Sequence, residues 1–196
     1  MIFWTDYFEL PTDDIKYIRD TYINEKFIRQ GGPTYKHYTG YYHSYGAQQR
    51  RDTGVKSGSF VDTRLQNIYG PFLRSILKKQ GIYDCEQTDM ILSFNQLWVQ
   101  LYTKEFSDLS GMGCTLHNHY TSSQNLFSWV HFVDVPKEDC FYYRTKNGSE
   151  WGEKVYPTPQ RTGNIVLFPS WTWHGVDAVV SQDDRIVVAG NVLRLK

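Results

Sequence analysis

The stretch Cys114–Asp134, CTLHNHYTSSQNLFSWVHFVD, decides the fold because it joins a histidine pair to a run of β-prone residues. His117 and His119 stand two residues apart, and side chains at that spacing on a strand point to the same face, about 7 Å apart. Two imidazoles placed in this way can converge on one metal ion, since each metal–nitrogen bond is about 2 Å long. The stretch therefore predicts a metal site on a strand face.

A third ligand has to come from another strand, and His174 is the candidate. It follows GNIVLFPSWTW, in which Gly163 starts a buried strand and Pro169 ends it, because proline cannot continue a central β-ladder. His174 is therefore expected at a strand edge beside a pocket mouth. Trp171 and Trp173 flank it, and they either wall that pocket or pack in the core. Single histidines are usually surface or loop residues, but this combination favours a metal site.

The segment that follows, DDRIVVAGNV, contains a candidate anion-binding residue. Four of its residues share one strand face: Arg185, Val187, Ala189 and Asn191. If this face points into the protein, the guanidinium of Arg185 needs an anion, because a buried unpaired charge is very costly. Its fork of N–H groups suits a carboxylate. The alternative is a surface ion pair with Asp183 or Asp184, and the sequence leaves both interpretations open.

The rest of the chain places helices before strands. Apolar residues at helical spacing predict a helix near 12–29 and a second over Asp62–Lys79, in which Gly70-Pro71 should cause a kink or break. From residue 90 onward, short β-prone segments separated by turn signals, among them EKVYPT and GVDAVV, predict a sandwich or barrel. The predicted fold class is α+β, mainly β, with the N-terminal helices packed on one face of the β unit.

Gly31–Phe60 has a different composition, rich in glycine, tyrosine and polar residues without a sustained period. Its length favours a functional loop or a disordered segment, and His37 and His43 within it are expected to face solvent. We expect this loop to lie over the metal mouth as a cover.

Length and composition exclude several classes of protein. The 196 residues predict one domain, 1–196, with residues 1–89 supporting a β core over 90–196. Lys plus Arg balances Asp plus Glu at 21 each, which argues against a dedicated binder of nucleic acid or membrane surfaces. No apolar run reaches the roughly 18 residues that a membrane span needs. Three cysteines without a CxxC motif fit a reducing cytoplasm.

Three segments, HNHYTSSQNLFSWVHFVDVP, GNIVLFPSWTWHGV and RIVVAGN, resemble the 2-oxoglutarate- and Fe(II)-dependent oxygenases. The likeness is closest to the prolyl-hydroxylase-like members of bacteria and their phages, and it covers residues 90–194. It implies a double-stranded β-helix, a jelly-roll or cupin-like barrel with Fe(II) at one end. It also implies 2-oxoglutarate bound to the iron through its keto-acid end. A phage-encoded member would act in the host cytoplasm.

The resemblance assigns roles to the candidate iron ligands. His117 and His174 match the two iron histidines of the family. His119 stands where the family usually has Asp or Glu, the carboxylate of a 2-His-1-carboxylate triad. Three neutral imidazoles would leave the site one unit more positive than usual.

The resemblance also assigns roles around 2-oxoglutarate. Arg185 matches the basic residue that anchors the far carboxylate. Val187 replaces a hydroxyl residue that often shares that carboxylate. Tyr102 matches a position that often contacts 2-oxoglutarate, and Asn191 closes the same motif as a further candidate contact.

The implied activity is an oxygenase reaction that consumes 2-oxoglutarate and O2, releases succinate and CO2, and hydroxylates an unactivated C–H bond. The substrate would be a protein or a small molecule. Two alternatives stay open. Gly163, Pro169 and His174 also resemble the second cupin motif, which would give a three-histidine dioxygenase or isomerase without 2-oxoglutarate. The third interpretation is a catalytically silent jelly roll that binds sugar or peptide.

Overall fold

The computed structural model describes residues 3–23, 41–43, 62–83, 90–111, 113–120, 123–157 and 159–195. Within these residues the chain forms three helices and eleven strands. In chain order they are β1 (Trp4–Tyr7), α1 (Thr12–Tyr22), β2 (Tyr41–His43), α2 (Thr63–Lys79), β3 (Leu92–Tyr102), α3 (Lys104–Ser110), β4 (Cys114–His117), β5 (Asn125–Asp134), β6 (Phe141–Arg144), β7 (Lys146–Asn147), β8 (Glu150–Trp151), β9 (Asn164–Pro169), β10 (Trp173–Val176) and β11 (Arg185–Arg194).

Two antiparallel sheets form the β unit. The larger has six strands in the order β1-β9-β5-β11-β3-β2, and the smaller has three in the order β4-β10-β6. Neighbours in the large sheet are distant in sequence, so the chain crosses between the sheets repeatedly. A short hairpin, β7-β8, extends from the smaller sheet. This arrangement confirms the predicted mainly β, double-stranded β-helix architecture.

The two faces of the large sheet are both apolar, and each packs against a different part of the protein. On the outer face, Ile186 and Val188 of β11 belong to a cluster with Ile18 of α1 and with Leu73 and Leu77 of α2. On the inner face, the alternate residues of the same strand pack against the smaller sheet, in a cluster that contains Val187, Ala189, Phe132, Phe141, Phe168 and Val176. The helices therefore cover one face, as predicted, and the other face forms the barrel interior.

The first helix, predicted near 12–29, ends at Tyr22, and residues 24–29 lie outside the described residues. The second helix agrees with the prediction except at Gly70-Pro71. The carboxylate of Asp62 caps α2 by accepting a hydrogen bond from the backbone N–H of Leu65 at 2.9 Å. The helix runs through Gly70-Pro71 without a break, and Pro71 lies on its exposed face, away from the sheet. The break predicted there is therefore wrong. In the described part of the chain, no helix is both long enough and apolar enough to cross a bilayer.

Some strand predictions were too long. The predicted strand EKVYPT reduces to an isolated bridge between Val155 and Tyr143, and residues 177–184 contain no strand. The β7-β8 hairpin was not predicted, although its two-residue loop, Gly148-Ser149, is a recognised turn pair and Gly148 has a φ of 63°. These differences lie at the ends of the barrel, where turn chemistry rather than apolar alternation sets the backbone.

The predicted cover Gly31–Phe60 lies outside the described residues except for Tyr41–His43. These three form β2, the edge strand beside β3, with Tyr41 opposite Tyr102. The role of the loop as a cover stays a prediction.

A buried histidine joins the large sheet to the elements on its outer face. His131 of β5 is fully buried; its Nε2 donates to the carbonyl oxygen of Phe8 at 2.8 Å, and its Nδ1 accepts from the hydroxyl of Tyr69 at 2.7 Å. Burial is the main cause that lowers the pKa of His131 to about 4. The ring is thus neutral at pH 7 and both its nitrogens are used in the fold.

This histidine predicts a pH dependence of stability. A depressed histidine pKa means that the unfolded chain takes up a proton, at about pH 6.5, before the folded chain does. The free energy of unfolding of the metal-free protein should therefore fall between pH 6.5 and pH 4, with about 2 kcal/mol lost from this group by pH 5. Denaturant unfolding at pH 7.5 and pH 5 measures the loss. The His131→Gln variant is the control, and an equal loss in that variant would contradict the assignment.

Candidate functional site

Three histidines meet at one end of the barrel. β4 pairs with β10 so that His117 lies directly opposite His174. The strand predicted to continue through His119 ends instead at His117. His119 lies just beyond it, held by a hydrogen bond from its backbone N–H to the carbonyl oxygen of Ser170 at 2.9 Å. The turn between β9 and β10 therefore brings the third ring to the other two.

The geometry of the rings is that of a convergent cluster. The ring centroids are 5.0 Å apart for His117–His119, 4.4 Å for His117–His174 and 5.1 Å for His119–His174. The Nε2 atoms of His117 and His119 are 3.1 Å apart. One possible ligand atom from each of the three residues lies within 4.8 Å of the others.

Each ring has its Nδ1 atom held by an oxygen. Nδ1 donates to the carbonyl oxygen of Thr115 at 2.7 Å in His117, and to that of Thr172 at 2.9 Å in His174. In His119 it donates to the side-chain oxygen of Asn191 at 3.0 Å. Because these oxygens act as acceptors, the proton of each neutral ring is on Nδ1 and Nε2 presents a lone pair.

Electrostatics keep these rings neutral. Burial lowers the pKa of all three, and it lowers the pKa of His119 to about 4 with a further contribution from His117. Two lone pairs facing each other at 3.1 Å repel, and a cation between them removes the repulsion. Two nitrogens that are both about 2.1 Å from one ion and at right angles lie about 3 Å apart. The donor set therefore fits a divalent transition metal.

The cluster lacks the carboxylate that the family usually has. Among the described residues, no Asp or Glu joins the three histidines. The donor set is three neutral nitrogens, so a bound divalent ion would keep its full charge of two. Such a centre attracts anionic ligands more strongly than one with a carboxylate ligand.

A pocket leads from the histidines into the barrel. Its wall includes Arg185, Val187 and Ala189, which confirms that this face of β11 points inward. The rest of the wall is largely apolar and aromatic, and includes Trp98, Val130, Phe132, Phe141, Phe168 and Val176. The alternative of a surface ion pair is wrong, because Arg185 is 1% exposed and Asp183 and Asp184 are exposed.

The guanidinium of Arg185 is fixed by neutral groups. Its Nη1 donates to the carbonyl oxygen of Glu138 at 3.0 Å and its Nη2 donates to the side-chain oxygen of Gln160 at 2.8 Å. Its face lies 5.0 Å from the ring centroid of Phe132. Among the described residues, no carboxylate forms an ion pair with it. A buried positive charge therefore borders the pocket with donors left for a ligand.

The sequence patterns do not predict the role of Gln160. It is fully buried, and its side-chain oxygen also accepts from the backbone N–H groups of Cys140 and Phe141 at 3.2 and 2.9 Å. The residue stands in an irregular segment, PQRTG, that gives no periodic signal. A glutamine among turn residues looks like a surface position, so only the folded structure reveals its role beside Arg185.

The other two candidate contacts lie in different places. Tyr102 lies opposite Arg185 in the β3–β11 ladder, and both residues border the pocket. Asn191 instead lies behind His119, where its side-chain oxygen also accepts from Ser128 at 2.8 Å and its amide donates to Gln96 at 2.8 Å. The structure therefore places Tyr102 on the pocket wall and Asn191 in a network that orients a histidine.

The two tryptophans beside His174 do not wall this pocket. Trp171 is 57% exposed, and Trp173 packs edge-to-face on Trp151 with centroids 5.1 Å apart. Neither expectation for them, a pocket wall or core packing, describes where they lie. They border a separate groove on the surface.

Residues 107–191 match the family model described as “Putative 2OG-Fe(II) oxygenase”. This segment contains all three histidines and Arg185. No curated protein matches the sequence.

Solved structures share the fold at low sequence identity. A prolyl-4-hydroxylase of Pseudomonas putida aligns with a TM-score of 0.55 and 14% identity, over 99% of this chain and 93% of that chain. A prolyl hydroxylase of Trichoplax adhaerens, solved with a peptide fragment of the hypoxia-inducible-factor oxygen degradation domain, aligns with a TM-score of 0.53 and 12% identity, over 98% and 82%. A 2OG-Fe(II) oxygenase family oxidoreductase of Burkholderia pseudomallei aligns with a TM-score of 0.49 and 12% identity, over 67% of this chain and 57% of that chain.

These findings confirm the predicted fold and support the resemblance to the 2OG-Fe(II) oxygenases. The barrel is the double-stranded β-helix of the prolyl-hydroxylase type. Residues 107–191 are similar to the 2OG-Fe(II) oxygenase family, a resemblance that points to a 2-oxoglutarate-dependent oxygenase.

The network behind His119 generates a prediction about metal affinity. Replacing Asn191 with Leu removes the acceptor that fixes the tautomer and orientation of the ring. The affinity of the protein for added Co²⁺ should fall by roughly 10- to 100-fold, the usual effect of losing such a partner. Asn191→Asp retains an acceptor oxygen and should bind Co²⁺ more tightly than the Leu variant. Competition with a chelator measures both, and equal affinity in wild type and Asn191→Leu would contradict the role.

Proposed function

We propose that the chain uses Fe(II), held by His117, His119 and His174, and 2-oxoglutarate, held by Arg185 and Tyr102, to hydroxylate an unactivated C–H bond. The bound iron, 2-oxoglutarate and O2 supply the oxidising chemistry, in which 2-oxoglutarate becomes succinate and CO2. The chain's own residues bind and orient these groups and exclude water. The substrate would be a protein or a small molecule, and the proposed location is the cytoplasm.

One observation carries the proposal. Three Nε2 lone pairs converge at the pocket that also contains the buried charge of Arg185, which has no acidic partner among the described residues. 2-Oxoglutarate has two carboxylates, so it can match a metal at one end and a guanidinium at the other. A fork of N–H groups binds a carboxylate through two parallel hydrogen bonds.

The pocket wall supports the same assignment. Apolar residues from both sheets surround the polar groups and limit the water around them, which strengthens each charge interaction inside. Tyr102 lies opposite Arg185 in the ladder and borders the same pocket, which supports a shared contact with the far carboxylate. The wall thus offers polar contacts at the histidines and at Arg185, and apolar contacts between them.

The three-histidine donor set is also compatible with the cupin-like alternative, because such a set suits a dioxygenase that does not use 2-oxoglutarate. The charge of Arg185 favours the first function. It borders the pocket and lacks an acidic partner among the described residues, whereas an enzyme without an anionic cosubstrate has no use for a buried cation there. Consumption of 2-oxoglutarate separates the two functions.

The first test is turnover of 2-oxoglutarate by purified protein with added Fe(II) under air. Wild type should release succinate, and His119→Ala should lose most of that activity because one of three ligands is gone. His119→Asp restores the usual carboxylate ligand and should retain more activity than the alanine variant. His131→Gln, which changes a buried histidine outside the cluster, is the control. Iron-independent succinate release, or full activity in His119→Ala, would contradict the proposal.

The second test is the affinity for 2-oxoglutarate, measured without oxygen in the presence of Fe(II). Arg185→Ala should weaken binding by about 2–5 kcal/mol, since it leaves a carboxylate without its partner. Arg185→Lys should bind between the two, because lysine keeps the charge and loses the fork.

Gln160→Glu provides a matched version of this test. It leaves Arg185 in place but gives the guanidinium an internal carboxylate, which should compete with the ligand and weaken its binding. If 2-oxoglutarate binds Arg185→Ala as tightly as wild type, Arg185 is not the anchor, and the result would favour the cupin-like function.

A further inference from the structure

A groove on the surface lies beside the barrel mouth and is separate from the histidine pocket. Its wall includes Arg144, Lys146, Pro169, Trp171, Thr172 and Trp173. His174 points into the barrel, and because neighbouring side chains on a strand alternate, Trp173 points to the outside of the smaller sheet. The groove therefore runs over the outer side of this sheet.

The aromatic part of the groove is not explained by packing. Trp171 exposes 57% of its surface at the turn between β9 and β10. Trp173 lines the same groove and is half-buried against Trp151. Exposed tryptophans grouped on a surface are typical of binding sites, where they provide large contact areas.

The charge of the groove is positive. The Nζ atom of Lys146 lies 5.3 Å from the ring centroid of Trp151 and 5.8 Å from that of Trp173. Arg144 donates from Nε to the carbonyl oxygen of Gly152 at 2.8 Å, which leaves its charge unbalanced. Within the described ranges, neither cation forms an ion pair and no acidic side chain lines the groove.

The hairpin keeps its own acid away from the groove. Lys146 lies opposite Trp151, and Asn147 lies opposite Glu150. Cross-strand partners share a face and alternate residues change face, so Glu150 projects from the side opposite Lys146. The positive charge at the groove is therefore set by the register of the hairpin.

The groove and the histidine site share one turn. The carbonyl oxygen of Thr172 accepts the hydrogen bond from Nδ1 of His174, and that of Ser170 accepts from the backbone of His119. Trp171 lies between Ser170 and Thr172 in the sequence. A chain bound against Trp171 therefore lies next to the mouth of the pocket.

We infer that this groove binds an extended, acidic segment of a protein substrate and leads the modified residue to the pocket mouth. The inference rests on the proposed function, because it makes the bound segment part of the oxygenase substrate. Lys146 and Arg144 pair with acidic side chains, and the tryptophans cover apolar parts of the segment. A peptide fits better than a nucleic acid, since the groove has two cations and the chain has a net charge of zero, whereas nucleic acid binding relies on many phosphate contacts.

The test uses binding, so it does not depend on turnover. Immobilised full-length protein is incubated with a random dodecapeptide library at low salt, and the retained pool is sequenced. Asp and Glu should be enriched by roughly threefold over the input, the size expected of exposed ion pairs. Lys146→Glu should abolish the enrichment and Trp171→Ala should reduce the total peptide retained. Lys137→Glu, a charge reversal at an exposed lysine outside the groove, should leave the enrichment unchanged.

The outcomes separate the two proposals. Acid enrichment without any 2-oxoglutarate turnover would support the groove and contradict the oxygenase function. Turnover without acid enrichment, or equal enrichment in wild type and Lys146→Glu, would overturn the groove. Displacement of the retained peptides by a twenty-nucleotide thymidine oligomer, with direct binding of that oligomer lost in Lys146→Glu, would assign the groove to nucleic acid instead.

Discussion

The site depends on the repulsion between imidazole lone pairs that the fold forces to face each other. Oxygens hold the Nδ1 atoms of His117, His119 and His174, so the Nε2 atoms have no proton to place between them. Two of these atoms are 3.1 Å apart in a buried site that disfavours protonation. The strand pairing that brings His117 opposite His174, and the turn that holds His119, therefore stabilise an arrangement that a cation completes.

The second constraint is the buried charge of Arg185. A guanidinium that is almost fully buried is costly, and within the described part of the chain the groups that bind it are neutral oxygens: the carbonyl of Glu138 and the side chain of Gln160. The two features lie in one pocket. The histidines present nitrogen lone pairs, and among the described residues no carboxylate pairs with Arg185. A metal ion and a dicarboxylate would complement both groups, which agrees with the resemblance of residues 107–191 to the 2OG-Fe(II) oxygenases.

Short β-prone segments separated by turns predicted the barrel from the sequence. The period of two on a strand predicted that Arg185, Val187 and Ala189 share one face, but it left open whether that face points inward. The sequence also predicted that His117 and His119 lie close together, but it placed both on one strand. In the structure the strand ends at His117, and a backbone hydrogen bond to Ser170 brings His119 to the cluster. The sequence could not predict three features: the role of Gln160, the position of Asn191 behind His119 and the outward direction of Trp173. Each depends on contacts between segments far apart in the chain, which local patterns do not encode.

The decisive experiment is a crystal structure of the protein grown without oxygen, in the presence of Fe(II) and 2-oxoglutarate. We expect one iron ion about 2.1 Å from the Nε2 atoms of His117, His119 and His174, and a 2-oxoglutarate whose far carboxylate binds the guanidinium of Arg185. Iron that leaves any of the three histidines unbound, or a 2-oxoglutarate whose far carboxylate lies away from Arg185, would contradict this expectation.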